Sequence, residues 1–207
     1  MRRREKITIG EYYHIFNRGV EKRIIFRQKA DYNRFIKSLE FFNTNSPIEM
    51  RSEEKISPKS DERLVDVVAY CINSNHFHLL LKENKENGIV TFMKKVCTGY
   101  AMYFNKKNDR SGVLFQGRFK SVHMDSNDLL LYISAYVNCN SQIHGIENAE
   151  IYPWCSFPEY LGNSGEKCQK GVVSDQFKNI KEYKNFCLEK VVGMKDKKKF
   201  DRCFFEA

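Results

Sequence analysis

Leu64 to Lys82 reads LVDVVAYCINSNHFHLLLK, and the fold turns on this stretch. Leu64 to Ile72 is rich in branched and aromatic residues, Asn73-Ser74-Asn75 interrupts it, and His76 to Lys82 resumes as a second strand. Two β-type runs joined by so short a polar link make an antiparallel hairpin. Upstream, Glu11 to Asn17 has the same composition and closes on Arg18 and Gly19, as a strand does. Between the two, Tyr32, Phe35, Ile36, Leu39 and Phe42 recur every three or four residues from Ala30 to Phe42. That period is an amphipathic helix, with Asp31 as favourable charge near its start. Downstream, Ile89, Phe92, Met93, Val96, Tyr100 and Tyr103 repeat the helical period across Ile89 to Phe104. A basic loop, Asn105 to Gly117, leads to a short strand near Arg118 to Met124. Asp125, Ser126 and Asn127 then offer caps for a last core helix from Asp128 to Asn140.

The order strand, helix, strand, strand, helix, strand predicts an α+β fold. It is a ferredoxin-like (RRM-like) split βαββαβ unit, a four-stranded antiparallel sheet covered on one face by helices, with an additional helix after it. Residues 1–160 hold this unit. Within it, 43–63 is polar, carries two prolines and reads as an exposed loop insertion. Residues 161–207 form a C-terminal extension, with a helix expected over Phe177 to Val192 and a basic tail around Lys195 to Lys199.

The chain has 207 residues, a net charge of +9, and 42% hydrophobic residues, enough to build a core and to exclude general disorder. Its 11 glycines and 4 prolines exclude collagen-like and mucin-like stalks. The basic surplus points to a polyanionic partner, nucleic acid or an anionic membrane. Seven cysteines, an odd number with wide spacings and no Cys-x-x-Cys pair, read as reduced core residues rather than a disulfide framework. The basic start Met1 to Lys6 is followed by no apolar run, and no apolar stretch approaches the about 20 residues that span a bilayer. The expected location is cytoplasmic, with no membrane contact.

Two features carry chemistry. Along a strand, side chains alternate faces, so His76 and His78 project together while Phe77 points the other way. Two imidazoles side by side make a bidentate site for a divalent metal. The same spacing also arises from two unrelated histidines, one packed and one exposed. On the last helix, Tyr132, Tyr136 and Asn140 fall at i, i+4 and i+8 and stack along one face. Tyrosines at that spacing also serve as ordinary core-edge residues.

Taken together, the chain resembles the HUH-class single-tyrosine transposases, among them the REP-associated tyrosine transposases and related small insertion-sequence transposases. The resemblance is carried by His14 to Gly19, Asn75 to Leu81, Gly112 to Lys120, Tyr136 to Asn140 and Tyr152 to Ser156, in that order, over about residues 11 to 160. It implies that Tyr136 is the nucleophile, on the additional helix, and that His76, His78 and Asn140 hold Mg²⁺ or Mn²⁺. It further implies metal-dependent cleavage and rejoining of single-stranded DNA through a 5′-phosphotyrosine intermediate. The chain departs from the family's pattern at Ser141, where a proline is common, in the long 43–63 loop, and after residue 160. Tyr132 also creates a Tyr-x-x-x-Tyr pattern seen in two-tyrosine replication initiators, making it a second candidate nucleophile.

The expected partner is single-stranded or hairpin DNA. Candidate phosphate contacts are Arg18, Lys22, Arg23 and Arg27 after the first strand, and Lys106, Lys107, Arg110, Arg118 and Lys120 around the basic loop. Tyr103, Phe104, Phe115 and Phe119 interleave with the second group, as stacking platforms or as core. Two alternatives stand beside the transposase reading: a non-catalytic nucleic-acid-binding module of RRM-like fold, and a two-tyrosine nickase resembling replication initiators. The sequence leaves monomer and homodimer open.

Overall fold

The structure, a computed structural model, describes residues 6–45, 62–163, 165 and 167–197, with side chains through residue 194. Four strands, β1 (Tyr12–Arg18), β2 (Val65–Ile72), β3 (His76–Glu83) and β4 (Lys120–His123), form one sheet in the order β2-β3-β1-β4. Every neighbouring pair is antiparallel. The helix α1 (Lys29–Phe41) connects β1 to β2, and α2 (Gly88–Lys107) connects β3 to β4. This is the expected split βαββαβ unit. Most of the 43–63 insertion, residues 46–61, lies outside the described residues. Its two stems are joined by buried Asn43, which donates to the Val65 carbonyl at 2.8 Å and accepts from the Val65 amide at 3.0 Å.

The sheet is covered on both faces, where the sequence predicts one. Phe77, Leu79 and Leu81 of β3 pack with α1 and α2, whereas Leu80 joins Val68, Ala69 and Cys71 of β2 in a second core. A bulge between Val67 and Ala69 shifts the register there, so that Val68 and Ala69 both serve the second core. Strands apolar on both sides need a layer on each. The second layer is α3 (Asn127–Asn138), α4 (Asn140–Ile143), α5 (Phe157–Tyr160), α6 (Gly171–Ser174) and α7 (Ile180–Lys197).

The C-terminal helix is therefore part of the body. Buried Tyr183, Cys187, Val191 and Met194, spaced by four, four and three residues, join the same core as Ile133 and Val137 of α3. The basic tail enters α7 at Lys195, and residues 198–207 lie outside the description. The Tyr152–Ser156 run covers the outer edge of β2: the Tyr152 hydroxyl donates to the Ile72 carbonyl at 2.8 Å, and the Ile72 amide donates to Trp154 at 2.9 Å. A sheet edge capped this way cannot recruit another strand. The six described cysteines are free and five are buried, as small core residues; Cys203 lies outside the description. Among the described residues no helix is long and apolar enough to cross a membrane.

Asp31, buried at the start of α1, receives the Arg27 amide at 2.9 Å, the Gln28 amide at 3.0 Å, the Tyr103 hydroxyl at 3.0 Å and Lys107 Nζ at 2.6 Å. Burial works against its charge, yet these donors outweigh burial and hold its pKa below the ordinary 3.8. A carboxyl with a depressed folded pKa stabilises the fold above its unfolded value. That contribution is lost as pH falls through the lower folded value. Asp31→Asn is expected to lower stability at neutral pH and to flatten its decline below about pH 4. Urea midpoints measured across that range test it; an unchanged acid profile contradicts it.

Candidate active site

The alternation of β3 puts Phe77 wholly into the first core and turns His76 and His78 to the opposite face. The two rings stand nearly perpendicular with centroids 5.2 Å apart. His78 is buried and His76 half-buried. On the neighbouring strand, Phe16 lies directly across from His78, and His14 shares its face one alternation away. His14 is fully buried, and its Nε2 lies 2.9 Å from His78 Nδ1. Burial pushes the His14 imidazole pKa down to about 3. Burial, reinforced by the imidazoles of His14, His76 and His144, pushes His78 well down too. Both rings are therefore neutral near neutral pH, the form that binds metals.

Ser126 caps α3, its hydroxyl accepting from the Leu129 amide at 3.3 Å. From this helix Tyr136 meets the histidines edge-on, its ring 5.3 Å from His78 and 5.8 Å from His14. Tyr132, one turn earlier, is half-buried against the second core. The helix expected to run to Asn140 ends at Asn138; Cys139 leaves helical geometry and Asn140 opens α4. The straight i, i+4, i+8 stripe is thus broken at its third member. Asn140 instead meets Asn73 of the hairpin turn: Asn73 Nδ2 lies 2.6 Å from Asn140 Oδ1 and 2.8 Å from His76 Nε2. The other His76 nitrogen, Nδ1, lies 2.6 Å from Asn75 Oδ1.

The histidine face opens into a cleft of about 290 Å³ lined by Phe16, His76, His78 and His144, with Arg18, Lys22 and Lys120 around it. Three of the nine candidate phosphate contacts therefore converge here. Arg18 is held by Gln116. Three others are engaged elsewhere: Lys107 with Asp31, Arg27 with Asn108 at 3.0 Å, and Arg110 with the Val113 carbonyl at 2.6 Å. Arg23, Lys106 and Arg118 do not line this cleft. Of the aromatics, Phe104 and Phe115 are core, and Tyr103 and Phe119 are half-buried against it.

The donor set suits a divalent ion. His78 Nε2 is buried with no hydrogen-bond partner. The acceptors His76 Nε2 and Asn140 Oδ1 converge on one amide donor, as acceptors around a cation do. Among the described residues no group of three or more His, Cys, Asp or Glu is arranged for a metal. Sequence reasoning gave no role to His14, to Asn73 or to His144, whose ring lies 5.0 Å from His76. Strand alternation places His14 on the histidine face once the β1–β3 register is known, whereas Asn73 carries only a turn signal.

A split βαββαβ sheet that sets a His-x-His pair on a central strand against a helical tyrosine defines the HUH class of tyrosine transposases. The model of the family described as "Transposase IS200 like" matches residues 36–140, half of the chain, and the chain belongs to that family. A solved structure, "Structure of the REP associates tyrosine transposase bound to a REP hairpin", superposes with a TM-score of 0.56 at 12% identity. The match covers 82% of this chain and 94% of that one, which establishes the shared fold. No curated protein matches the sequence.

Proposed function

We propose that the protein cleaves and rejoins single-stranded DNA, with Tyr136 as nucleophile and His76, His78 and Asn140 as ligands of Mg²⁺ or Mn²⁺. The observation that carries this reading is the tyrosine ring 5.3 Å from a buried histidine whose outer nitrogen has no partner, at a cleft ringed by Arg18, Lys22 and Lys120. A free phenol, pKa ~10, is a weak nucleophile at neutral pH. A bound divalent ion would neutralise scissile phosphate oxygens and orient the phosphorus for in-line attack. The ligand set carries no carboxylate, so the ion's charge stays available to the phosphate.

In the first step a bond forms between Tyr136 Oη and phosphorus, and the bond from phosphorus to the 3′ oxygen breaks. The phenol gives up its proton, the leaving oxygen gains one, and the product is a 5′-phosphotyrosine with a free 3′-hydroxyl. A phosphodiester is exchanged for another, so a second 3′-hydroxyl can reverse the step on a new strand without ATP. Arg18, Lys22 and Lys120 supply sequence-independent phosphate affinity, and each phosphate neutralised adds about 0.7 to the salt slope for single strands. The solved structural neighbour is bound to a REP hairpin, which favours hairpin-bearing DNA as substrate.

Incubation with single-stranded DNA carrying hairpins from the gene's own flanks, in Mn²⁺, is expected to leave a covalent adduct on denaturing gels. His76→Ala and His78→Ala are each expected to reduce that adduct at least about 100-fold while DNA binding is retained. Wild-type protein that binds such DNA without forming an adduct would sink the strand-transfer reading in favour of a binding module.

A further inference from the structure

The contact between His14 and His78 has a consequence for which nitrogen of His78 faces the cleft. Each neutral imidazole carries one N–H, and the 2.9 Å contact joins His14 Nε2 to His78 Nδ1. One proton lies between them. If it sits on His14, His78 must carry its own proton on Nε2 and has no lone pair to offer the cleft. If it sits on His78 Nδ1, His14 accepts it, and His78 Nε2 is a bare lone pair.

We propose that His14 is a positioning residue that accepts the Nδ1 proton of His78 and so holds the Nε2 lone pair toward the metal. The inference rests on the metal role of His78 proposed above. Three observations support it. His78 Nε2, the ring nitrogen not turned toward His14, has no hydrogen-bond partner and is the one left to ligate a metal. His14 is fully buried on the sheet face beneath Tyr136 of α3, with Leu80 beside it on β3 and Val122 on β4, so its ring has no room to swing away. Its stacking on His78, with the two planes 17° apart, and the edge contact with Tyr136 give it one orientation. A ligating histidine whose other nitrogen donates to a fixed acceptor has its tautomer and direction set in advance. The unusual feature is that the acceptor here is a second imidazole, neutral because it is buried, and not a carboxylate. It orients His78 without adding negative charge beside a site that must receive phosphate.

The test compares His14→Gln, whose amide oxygen reaches about as far as Nε2 and can accept, with His14→Met, which fills space and cannot. In ¹⁵N-histidine-labelled protein without metal, two-bond proton–nitrogen correlations are expected to show His78 protonated at Nδ1 in wild type and in His14→Gln. In His14→Met the signal is expected to move toward the Nε2–H form. Affinity for Mn²⁺ alone, read by electron paramagnetic resonance, is expected to fall about 10- to 100-fold in His14→Met and to recover within about 3-fold in His14→Gln. Wild-type His78 protonated at Nε2, or Mn²⁺ affinity unchanged in His14→Met while His78→Ala loses it, overturns the proposal alone. Mn²⁺ affinity unchanged in His78→Ala overturns the metal reading and this inference with it. If His14→Met does not fold, the wild-type tautomer and the His14→Gln affinity still decide.

Discussion

Tyr136→Phe is expected to abolish the covalent protein–DNA adduct, lowering its yield by more than about 10³-fold, with fold and DNA affinity intact. The substitution removes one oxygen and keeps the ring, which is nearly buried and lies edge-on to His78 and His14. The packing of α3 on the sheet therefore survives. The loss falls on chemistry alone, because no neighbouring group replaces a phenolate in a covalent intermediate. Tyr132→Phe is the matched control. It lies one helical turn away, half-buried in the second core, and its loss is expected to leave adduct yield within about 3-fold of wild type. Adduct formation by Tyr136→Phe, together with its loss in Tyr132→Phe, would identify the other tyrosine as nucleophile and favour the nickase-like reading.

Tyr183→Phe is expected to destabilise the fold and to loosen α3, the helix that carries Tyr136, although Tyr183 does not line the cleft. Behind α3 runs a buried relay. The Ser156 hydroxyl donates to Asn138 Oδ1 at 2.5 Å, Asn138 Nδ2 donates to the Tyr183 hydroxyl at 2.7 Å, and that hydroxyl donates to Ser134 Oγ at 3.2 Å. Ser134 in turn donates to the Leu131 carbonyl at 2.7 Å. Such a chain gains from each member and suffers from any gap. Removing the phenolic oxygen leaves Asn138 Nδ2 a buried donor without an acceptor, a cost of ~1–3 kcal/mol. For a chain of this size that lowers Tm by roughly 2–4 °C per kcal/mol. Tyr183→Ala adds the cavity of a lost aromatic ring, ~3–5 kcal/mol, a large share of the ~5–15 kcal/mol that holds a typical fold. Because Ser134 and Asn138 flank Tyr136 on α3, adduct formation by Tyr183→Phe is expected to drop several-fold with DNA affinity unchanged. Thermal melts and single-turnover cleavage measure the two effects. A wild-type Tm in Tyr183→Phe removes the relay from the account of α3.

Much of this was legible from local pattern. The hairpin at Asn73–Asn75 follows from two β-type runs with a polar link, and both crossover helices follow from their three-and-four spacing. The common direction of His76 and His78 follows from strand geometry and needs no partner. The spacing of Tyr183, Cys187, Val191 and Met194 marks an apolar face on α7, but periodicity names a face and not what covers it. The helices over 128–140 and 177–192 are therefore expected from pattern, but not that they cover the second face of the sheet. Asn140 shows where a local rule fails: an ideal helix carries it in line with Tyr136, yet the chain leaves helical geometry at Cys139. Asn140 meets Asn73, 67 residues away, only because α4 starts a new direction there.

Local sequence pattern sets the order and type of the core elements and the shared face of the histidine pair. Each of these depends on backbone geometry within a few residues. It takes long-range packing to bring His14 to His78 across 64 residues, to join His76 to Asn140 through Asn73, and to carry three of the nine basic candidates to the cleft. Those meetings depend on strand register and on which apolar surfaces bury one another. Both are settled by the packing of distant segments, and neither is written in any local period.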